Sequence, residues 1–286
     1  MRISQPLVSI IIPTLNRPEI VKRAIKSAKE QTYKNKEIIV VDDGSVTPYK
    51  LEGVRYFKPW KQNKGGSAAR NYGIKKVKGK YIVFLDDDNV LSKSFLTHTV
   101  LMLENTNYDA VATGRYVKYD DRTDAVLPAQ TFFPAIDWGW LIHKRIFKKI
   151  LYDETIWGDE DADFGIAFVA ARFHYTIINK YLQTAYALKE QDATANTFPT
   201  ERRLQGLENF LKKNLRVYIN PNERRYILRL AGRNYLRAGY YFKSISYFWQ
   251  SWACVRNFKT FKHLFFALFG WRCYDMYMSF EEKRGS

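Results

Sequence analysis

Residues 7–45 read LVSIIIPTLNRPEIVKRAIKSAKEQTYKNKEIIVVDDGS, and this stretch decides the fold class. Residues 7–13 form an apolar run of the kind found in strands buried on both faces. Residues 18–31 have the apolar spacing of a helix, and Pro18 stands at an early position where its missing N–H costs nothing. Residues 37–42 form a second apolar run. A strand, a helix and a strand in this order predict a parallel pair with a crossover helix.

The same alternation continues downstream. Residues 54–57 are a weaker third strand, residues 67–77 are a helix with Ser67 as its N-cap, and residues 81–85 are another buried strand. A further helix is predicted at 159–171. We therefore expect an α/β fold with a Rossmann-like, mostly parallel sheet flanked by helices, and ligands bound beyond the carboxyl ends of its strands.

The pattern changes after about residue 200, where helical spacing replaces the alternation. Four helices rich in Arg, Tyr, Phe and Trp are predicted, at 199–213, 221–238, 241–256 and 258–269. The sequence thus predicts two regions, 1–198 and 199–286.

The net charge of +17 is concentrated in the second region. Residues 200–286 hold 17 Lys and Arg against 6 Asp and Glu, together with 20 of the 46 aromatic residues. This combination suits an anionic membrane surface, and it would also suit nucleic acid. The alternative is a solvated basic face on helices that simply cover the sheet.

Other features of the composition bear on location. The 46% hydrophobic content allows a sizeable core. No stretch approaches the roughly 18 uncharged apolar residues of a membrane span, and the first apolar run is too short for a signal peptide. Cys254 and Cys273 provide neither a disulfide framework nor a metal-binding spacing. We expect a cytoplasmic protein in a reducing compartment.

Polar clusters follow three of the predicted strands, at 13–17 (PTLNR), 42–45 (DDGS) and 86–89 (DDDN). If the chain stays extended after residue 85, Asp86 and Asp88 point to one side. Hard divalent cations bind one or two such carboxylates together with substrate phosphates. The alternative is an acidic turn that caps the next helix.

Two further segments could bind a nucleotide. Asp42 could accept hydrogen bonds from a base or a ribose, or it could belong to an ordinary Asp-Gly-Ser turn. The segment 63–71, NKGGSAARN, permits close backbone approach and opens a helix whose free N–H groups favour an anion. Arg70 in its first turn opposes the helix dipole, which indicates either a bound phosphate or an ion pair with a nearby aspartate.

The segment 157–164, WGDEDADF, opens the helix at 159–171 with four carboxylates. One of them could serve as a general base towards an acceptor hydroxyl. The alternative is that all four interact only with the helix dipole.

Taken in order along the chain, these motifs closely resemble those of family 2 of the glycosyltransferases, over about residues 7–195. The resemblance implies the GT-A fold, with a catalytic domain at 1–198 (nucleotide-sugar half about 1–90, acceptor half about 91–198) and an appended basic, aromatic helical region at 199–286. It implies inverting, metal-dependent transfer from a nucleotide diphosphate sugar, most often a UDP-sugar, with Mn²⁺ or Mg²⁺ as cofactor. The acceptor would be a hydroxyl of a glycan or a lipid-linked molecule in cell-surface polysaccharide, lipopolysaccharide or glycolipid synthesis.

The resemblance also implies roles for individual residues. Asp88 would be the principal metal ligand, helped by Asp86, and Asp161 of the Glu160-Asp161 pair would be the base, with Asp159 as its adjacent alternative. Asp42 would read the base. The remaining residues expected to bind the nucleotide sugar are Pro13, Thr14, Asn16, Arg17, Glu19, Gly66, Arg70, Asp86 and Asp87. Those expected on the acceptor side are Trp138, Trp157 and Glu160.

The sequence departs from the family pattern in three respects. Ala167 stands where many relatives carry Arg, and residues 189–194 lack the His of a common late motif. The Q-x-x-R-W signature and membrane helices of processive synthases are absent. The first two departures argue against an additional metal or phosphate ligand, and the third favours single sugar addition.

Two alternatives from other classes are open. Asp86-x-Asp88-x-Val90 after an apolar strand also fits haloacid dehalogenase-like phosphatases, although that strand normally opens their domain. A non-enzymatic basic protein that binds membrane or nucleic acid would explain the charge, but acidic clusters at one sheet edge would repel a polyanion. We expect no nucleic acid partner, and expect the 199–286 region to place the enzyme peripherally on the cytoplasmic face of the membrane.

Overall fold

The computed structural model describes residues 5–47, 49, 51–59, 64–128, 136, 139–186, 201–217, 220–256, 258–270 and 273–278. The chain divides into two compact units. The first comprises Met1–Glu154 and Glu160–Lys189, and the second comprises Thr155–Asp159 and Glu190–Ser286. The expected boundary at 198/199 lies outside the described residues and stays a prediction.

The first unit is built on a single mixed sheet with helices on both faces. In the part of the chain that is described, its strands are β1 (Val8–Thr14), β2 (Lys36–Asp42), β3 (Arg55–Phe57), β4 (Tyr81–Phe84), β5 (Val90–Leu91), β6 (Ala110–Lys118), β7 (Thr123–Val126), β8 (Leu141–His143) and β9 (Tyr175–Tyr186). Its helices are α1 (Pro18–Lys29), α2 (Gly66–Ile74), α3 (Phe95–Glu104) and α4 (Glu160–Ala170), with a short 3₁₀ helix at Lys144–Lys148. The strand order is β3-β2-β1-β4-β8-β6-β9-β5, and β7 pairs with β6.

The sheet is mixed, and its parallel half is formed mainly by the strands that the sequence predicts between residues 7 and 85. β3, β2, β1 and β4 all run in the same direction, and Thr14 at the end of β1 pairs with Asp42 at the end of β2. β8 is antiparallel to β4 and β6, whereas β6 and β9 are parallel. The carboxyl ends of β1, β2 and β4 therefore share one edge.

The apolar runs of the parallel strands are continuous because both faces of the sheet are covered. Ile10, Ile12 and Val40 pack in one cluster with the apolar side chains of α1 and α3. Ile11 and Ile39 pack in a second cluster with side chains of α2 and α4. Alternate side chains of one strand thus enter two different cores.

The expectation for the start of α2 was wrong. The helix begins at Gly66, its N-cap is Gly65 with φ of 95°, and it ends at Ile74 rather than residue 77. The Ser67 hydroxyl is buried without a hydrogen-bond partner, so it caps nothing. Glycine occupies the N-cap because the backbone there adopts a left-handed conformation that disfavours serine.

The second unit contains four helices among its described residues, as predicted: α5 (Glu201–Asn214), α6 (Pro221–Arg237), α7 (Tyr241–Val255) and α8 (Phe258–Ala267). The side chain of Asn220 accepts a hydrogen bond from the Asn222 amide and so caps α6. Phe248 and Leu264 belong to the core of this unit. Over the described residues, the helices are too short or too polar to cross a bilayer.

Candidate active site

The acidic turn after β4 lies beside the loop after β1. Thr14 Oγ1 donates to Asp87 Oδ2 at 2.7 Å, and Arg17 Nη1 lies 3.0 Å from Asp87 Oδ1 and 3.3 Å from Asp88 Oδ2. Asp87 is buried. Its carboxylate therefore joins β1 to the turn, while Asp88 and Asp86 are left nearer to solvent.

The turn concentrates negative charge. Burial, followed by the charges of Asp86 and Asp87, raises the pKa of Asp88 to about 6, although Arg17 lowers it. A carboxyl group in this state gains from an additional positive charge nearby.

Arg70 links the acidic turn to the start of α4. Its Nη2 lies 2.8 Å from Asp86 Oδ1, and its Nη1 lies 3.4 Å from Glu160 Oε1. Burial alone would lower the pKa of Arg70, but Asp86, Tyr152 and Glu160 raise it, so the guanidinium keeps its charge. The ion pair with an aspartate that the sequence allowed is thus formed.

Gly66 leaves the space that Arg70 occupies. A Cβ at position 66 would lie 2.7 Å from Arg70 Nη1. We expect Gly66→Ala to displace the guanidinium and to weaken binding of a nucleotide diphosphate by about tenfold, measured by calorimetric titration with UDP. Ser67→Ala is the matched control, because its buried hydroxyl has no hydrogen-bond partner to lose. Equal affinity in the wild type and Gly66→Ala would show that the observed position of the Arg70 guanidinium is not needed for diphosphate binding.

Asp42 faces the interior of the first unit. It is fully buried, and its carboxylate accepts hydrogen bonds from the Gly44 amide at 3.0 Å, the Ser45 amide at 2.7 Å and the Tyr56 hydroxyl. Burial raises the pKa of Asp42, but the hydrogen bonds from Tyr56, Ser45 and Gly44 outweigh it, and the pKa lies below its usual value. The structure therefore shows the hydrogen bonds of the Asp-Gly-Ser turn, and recognition of a base by Asp42 stays a prediction.

Asp43 is a residue that the sequence reasoning passed over. Its amide donates to the Thr14 carbonyl at 3.0 Å, and its carboxylate accepts from the amides of Lys64 at 3.1 Å and Gly65 at 2.6 Å. It thereby fixes the entry to α2 against the end of β1. Its signal was its place directly after Asp42, at the end of a buried strand.

The loop after β1 is held by polar contacts, but not all of its expected residues converge. Asn16 has φ of 54°, and its Oδ1 accepts from the Val46 amide at 2.9 Å. Pro13 lies within β1, half-buried. Glu19 is 79% exposed and pairs with Lys22 on the surface of α1, so the structure does not bring it to the acidic turn.

Glu160 and Asp161 lie in the first turn of α4, which begins one residue later than expected. Burial, and then the charge of Glu160, raises the pKa of Asp161, although the Ala162 amide and Arg70 lower it. A carboxylate with a raised pKa is a better proton acceptor than an ordinary one. Asp159 falls in the second unit.

Of the two tryptophans expected on the acceptor side, the structure describes Trp157. Trp138 lies outside the described residues. Trp157 belongs to the second unit, where the Arg202 guanidinium carbon lies 3.4 Å from the centroid of its ring. One face of the indole is thus covered by a cation rather than open to a sugar. The late segment 189–194 also lies outside the described residues.

Comparison with known proteins decides the family. The family model described as "Glycosyl transferase family 2" matches residues 9–170, more than half of the chain. The chain belongs to this family. The chain is 32% identical over 231 residues to an uncharacterized glycosyltransferase of Rickettsia prowazekii, covering 73% of this chain and 70% of that one. It is 34% identical over 185 residues to one of Rickettsia bellii, covering 55% of this chain.

The match covers only 26% of the R. bellii relative, so the similarity extends over about a quarter of that protein's length. Among solved structures, S. aureus TarS 1-349 in complex with UDP-GlcNAc has a TM-score of 0.55 at 15% identity, covering 86% of this chain and 72% of that one. This likeness confirms the fold. The family assignment argues against the phosphatase, and so does the position of β4, since three strands precede it in the chain.

Proposed function

We propose that this glycosyltransferase moves a sugar from a UDP-sugar to an acceptor hydroxyl with inversion at the anomeric carbon. The observation that carries the proposal is the ion-pair bridge Asp86–Arg70–Glu160, which joins the end of β4 to the start of α4. In this proposal a donor phosphate that contacts Arg70 would lie close to Asp161, the neighbour of Glu160 and the candidate base. The UDP-GlcNAc bound by TarS supports uridine as the first nucleoside to test.

The donor would lie along the shared edge of β1, β2 and β4. In this arrangement the diphosphate would contact Arg70 and Arg17. It would replace part of the ion pairs that these arginines form with Asp86 and Asp87. Asp43 holds the α2 entrance, whose amides favour an anion. The uracil would lie beside Asp42 and Tyr56. For Asp42 to bind the base, the hydrogen bond from the Tyr56 hydroxyl to its carboxylate would have to break.

The residues of the acidic turn fit a divalent cation. The described residues contain no group of three or more His, Cys, Asp or Glu arranged as a metal cage. Mn²⁺ and Mg²⁺ in such enzymes need only one or two carboxylates, because substrate phosphates complete their coordination. Asp88, whose pKa is raised by burial and then by the charges of Asp86 and Asp87, would hold the ion with help from Asp86. When bound, the cation would neutralise charge on the departing diphosphate.

Asp161 would act as the base. The acceptor oxygen attacks the anomeric carbon, the bond from that carbon to the diphosphate oxygen breaks, and the acceptor proton passes to the Asp161 carboxylate. One base on the face opposite the leaving group suffices for inversion, as in inverting glycoside hydrolysis. The acceptor class proposed is a glycan or lipid-linked hydroxyl in cell-surface polysaccharide, lipopolysaccharide or glycolipid synthesis.

Thermal unfolding tests the donor site. We expect UDP with Mn²⁺ to stabilise the enzyme more than UDP alone, Mn²⁺ alone or GDP with Mn²⁺, by about 2.7 kcal/mol at a hundredfold excess over Kd. Asp88→Ala should abolish the joint effect. Asp121→Ala is the control, since its side chain is 77% exposed on the surface.

Each alternative outcome has a distinct meaning. Stabilisation by GDP instead of UDP would mean that the donor carries guanine rather than uracil, and the proposed donor site would stand. The same response in Asp88→Ala as in the wild type would remove Asp88 from the metal site. A lack of response to every nucleotide would contradict the proposal.

A further inference from the structure

The helical hairpin α7–α8 exposes several large aromatic side chains on its outer face. On α7, the small polar residues Ser244 and Ser251 are buried, whereas Phe242 and Trp249 are 86% and 55% exposed. Ser251 Oγ donates to the Arg225 carbonyl, so this inward position is used for close packing on α6. Phe248 is also buried on the inner side, so α7 carries large aromatic side chains on two sides, and one of these sides is exposed.

Two exposed aromatic residues of α7, Phe242 and Trp249, share one side of the helix with Ile245 and Trp252, which are partly buried. These four residues recur at intervals of three and four residues and form a stripe along the helix. The rings of Trp249 and Trp252 are 4.9 Å apart. Arg256, exposed, ends the stripe.

Helix α8 extends this stripe into a surface. The rings of Trp252 and Phe261 are 6.2 Å apart at one end, and the Tyr241 hydroxyl donates to the Leu268 carbonyl at the other. Phe265 and Phe269 are 44% and 62% exposed. We call the exposed side chains Phe242, Trp249, Phe261, Phe265, Leu268 and Phe269 the aromatic face.

The charge around the aromatic face selects its partner. Residues 241–270 contain Lys243, Arg256, Lys259 and Lys262 and not a single Asp or Glu. A second copy of the chain would bring like charges together and would be repelled. Four cations among many aromatic and aliphatic side chains are also few for a nucleic acid, whose binding depends mainly on phosphate neutralisation. Aromatic and aliphatic side chains flanked by Lys and Arg match an anionic bilayer surface.

We propose that the aromatic face docks the enzyme on an anionic lipid bilayer, with Trp249, Phe265 and Phe269 inserted at the level of the headgroups. The hairpin lies in the interface without crossing it, and the flanking Lys and Arg contact lipid phosphates. The proposal does not depend on which nucleotide the enzyme binds. It does fit an acceptor that is itself anchored in a membrane.

Vesicle flotation of the full chain tests the proposal. We expect the enzyme to float with phosphatidylcholine vesicles that contain phosphatidylglycerol, and to float less with pure phosphatidylcholine or at high salt. The triple variant Trp249→Ser, Phe265→Ser and Phe269→Ser should lower the partition coefficient by about tenfold or more. The matched control is Leu101→Ser, Tyr108→Ser and Leu151→Ser, which removes side chains exposed on the first unit and should change partitioning less than about twofold.

Three results would overturn the proposal. The first is that the wild type does not float with the vesicles. The second is that both triple variants lose flotation equally. The third is that the aromatic-face variant floats as the wild type does but loses self-association or duplex DNA binding. Circular dichroism checks that the variants fold. The thermal response to UDP should persist in the aromatic-face variant, and flotation should persist in Asp88→Ala, so failure of the donor proposal is distinguishable from failure of this one.

Discussion

Asp161→Asn should lower kcat by about 10²–10⁴-fold and leave the affinity for UDP unchanged. Asparagine keeps the shape of the side chain but cannot take the acceptor proton. The measurement is UDP release from a series of UDP-sugars, beginning with UDP-GlcNAc, with an extract of lipids and glycans as the acceptor source. Calorimetric titration with UDP provides the binding control.

Neighbouring carboxylates test whether Asp161 is the base. Asp159→Asn should retain activity, and Glu160→Gln should act mainly on donor binding, because Glu160 contacts Arg70. If Asp159→Asn lost turnover while Asp161→Asn kept it, the base would be Asp159 and the assignment would move by two positions.

The pH profile gives an independent check on the same carboxyl group. Burial and the charge of Glu160 raise the pKa of Asp161, and only its deprotonated form accepts a proton. Activity should therefore rise with pH through this raised pKa. Glu160→Gln removes the neighbouring negative charge, so the rising limb should move to lower pH. A limb that stays in place would mean that another group controls it.

Asp42→Ala should destabilise the parallel half of the first unit by about 2–4 kcal/mol. The change removes a fully buried carboxylate and leaves the Tyr56 hydroxyl and the amides of Gly44 and Ser45 without their acceptor. Native-state hydrogen exchange of the β2 amides reports this loss locally. Asp121→Ala, on the surface, should change exchange little.

The effect of Asp42 should depend on pH with a defined sign. Its pKa in the folded protein lies below its usual value, which is about 3.9 in an unfolded chain. Its stabilisation is therefore complete above that unfolded value and is lost as the pH falls through the folded pKa. The difference between the wild type and Asp42→Ala should be largest near neutral pH and should shrink on acidification. A difference that grows in acid would contradict the carboxylate's role.

Much of the first unit could be predicted from local pattern. The apolar runs before Thr14, Asp42 and Leu85 are continuous because each strand is covered on both faces, and this is visible in the sequence. The helices of the second unit could be placed from spacing alone, as the Asn220 cap of α6 shows. Element ends were less certain, because the start of α2 depends on the positive φ of Gly65 and on the contacts of Asp43 with its amide.

The partners of the charged residues needed the tertiary structure. From sequence, Arg70 could face a phosphate or an aspartate, and Glu160 stands 90 residues away from it. Their pairing arises because α2 and the start of α4 lie next to each other, a relation between distant segments that no local pattern contains. The burial of Asp42 beside its hydrogen-bond donor Tyr56, which belongs to β3, likewise could not be predicted from local sequence.

By itself, the sequence determined the α/β class, the family, the order of the motifs and the concentration of positive charge in the last third, because these depend on local periodicity and composition. Only the tertiary structure decided that Asp42 is enclosed, that Glu19 faces solvent, and that Phe242 and Trp249 point outward while serines point inward on α7. Burial and ion pairing depend on which distant segments pack together, and helical spacing defines the faces of a helix without saying which face meets the core.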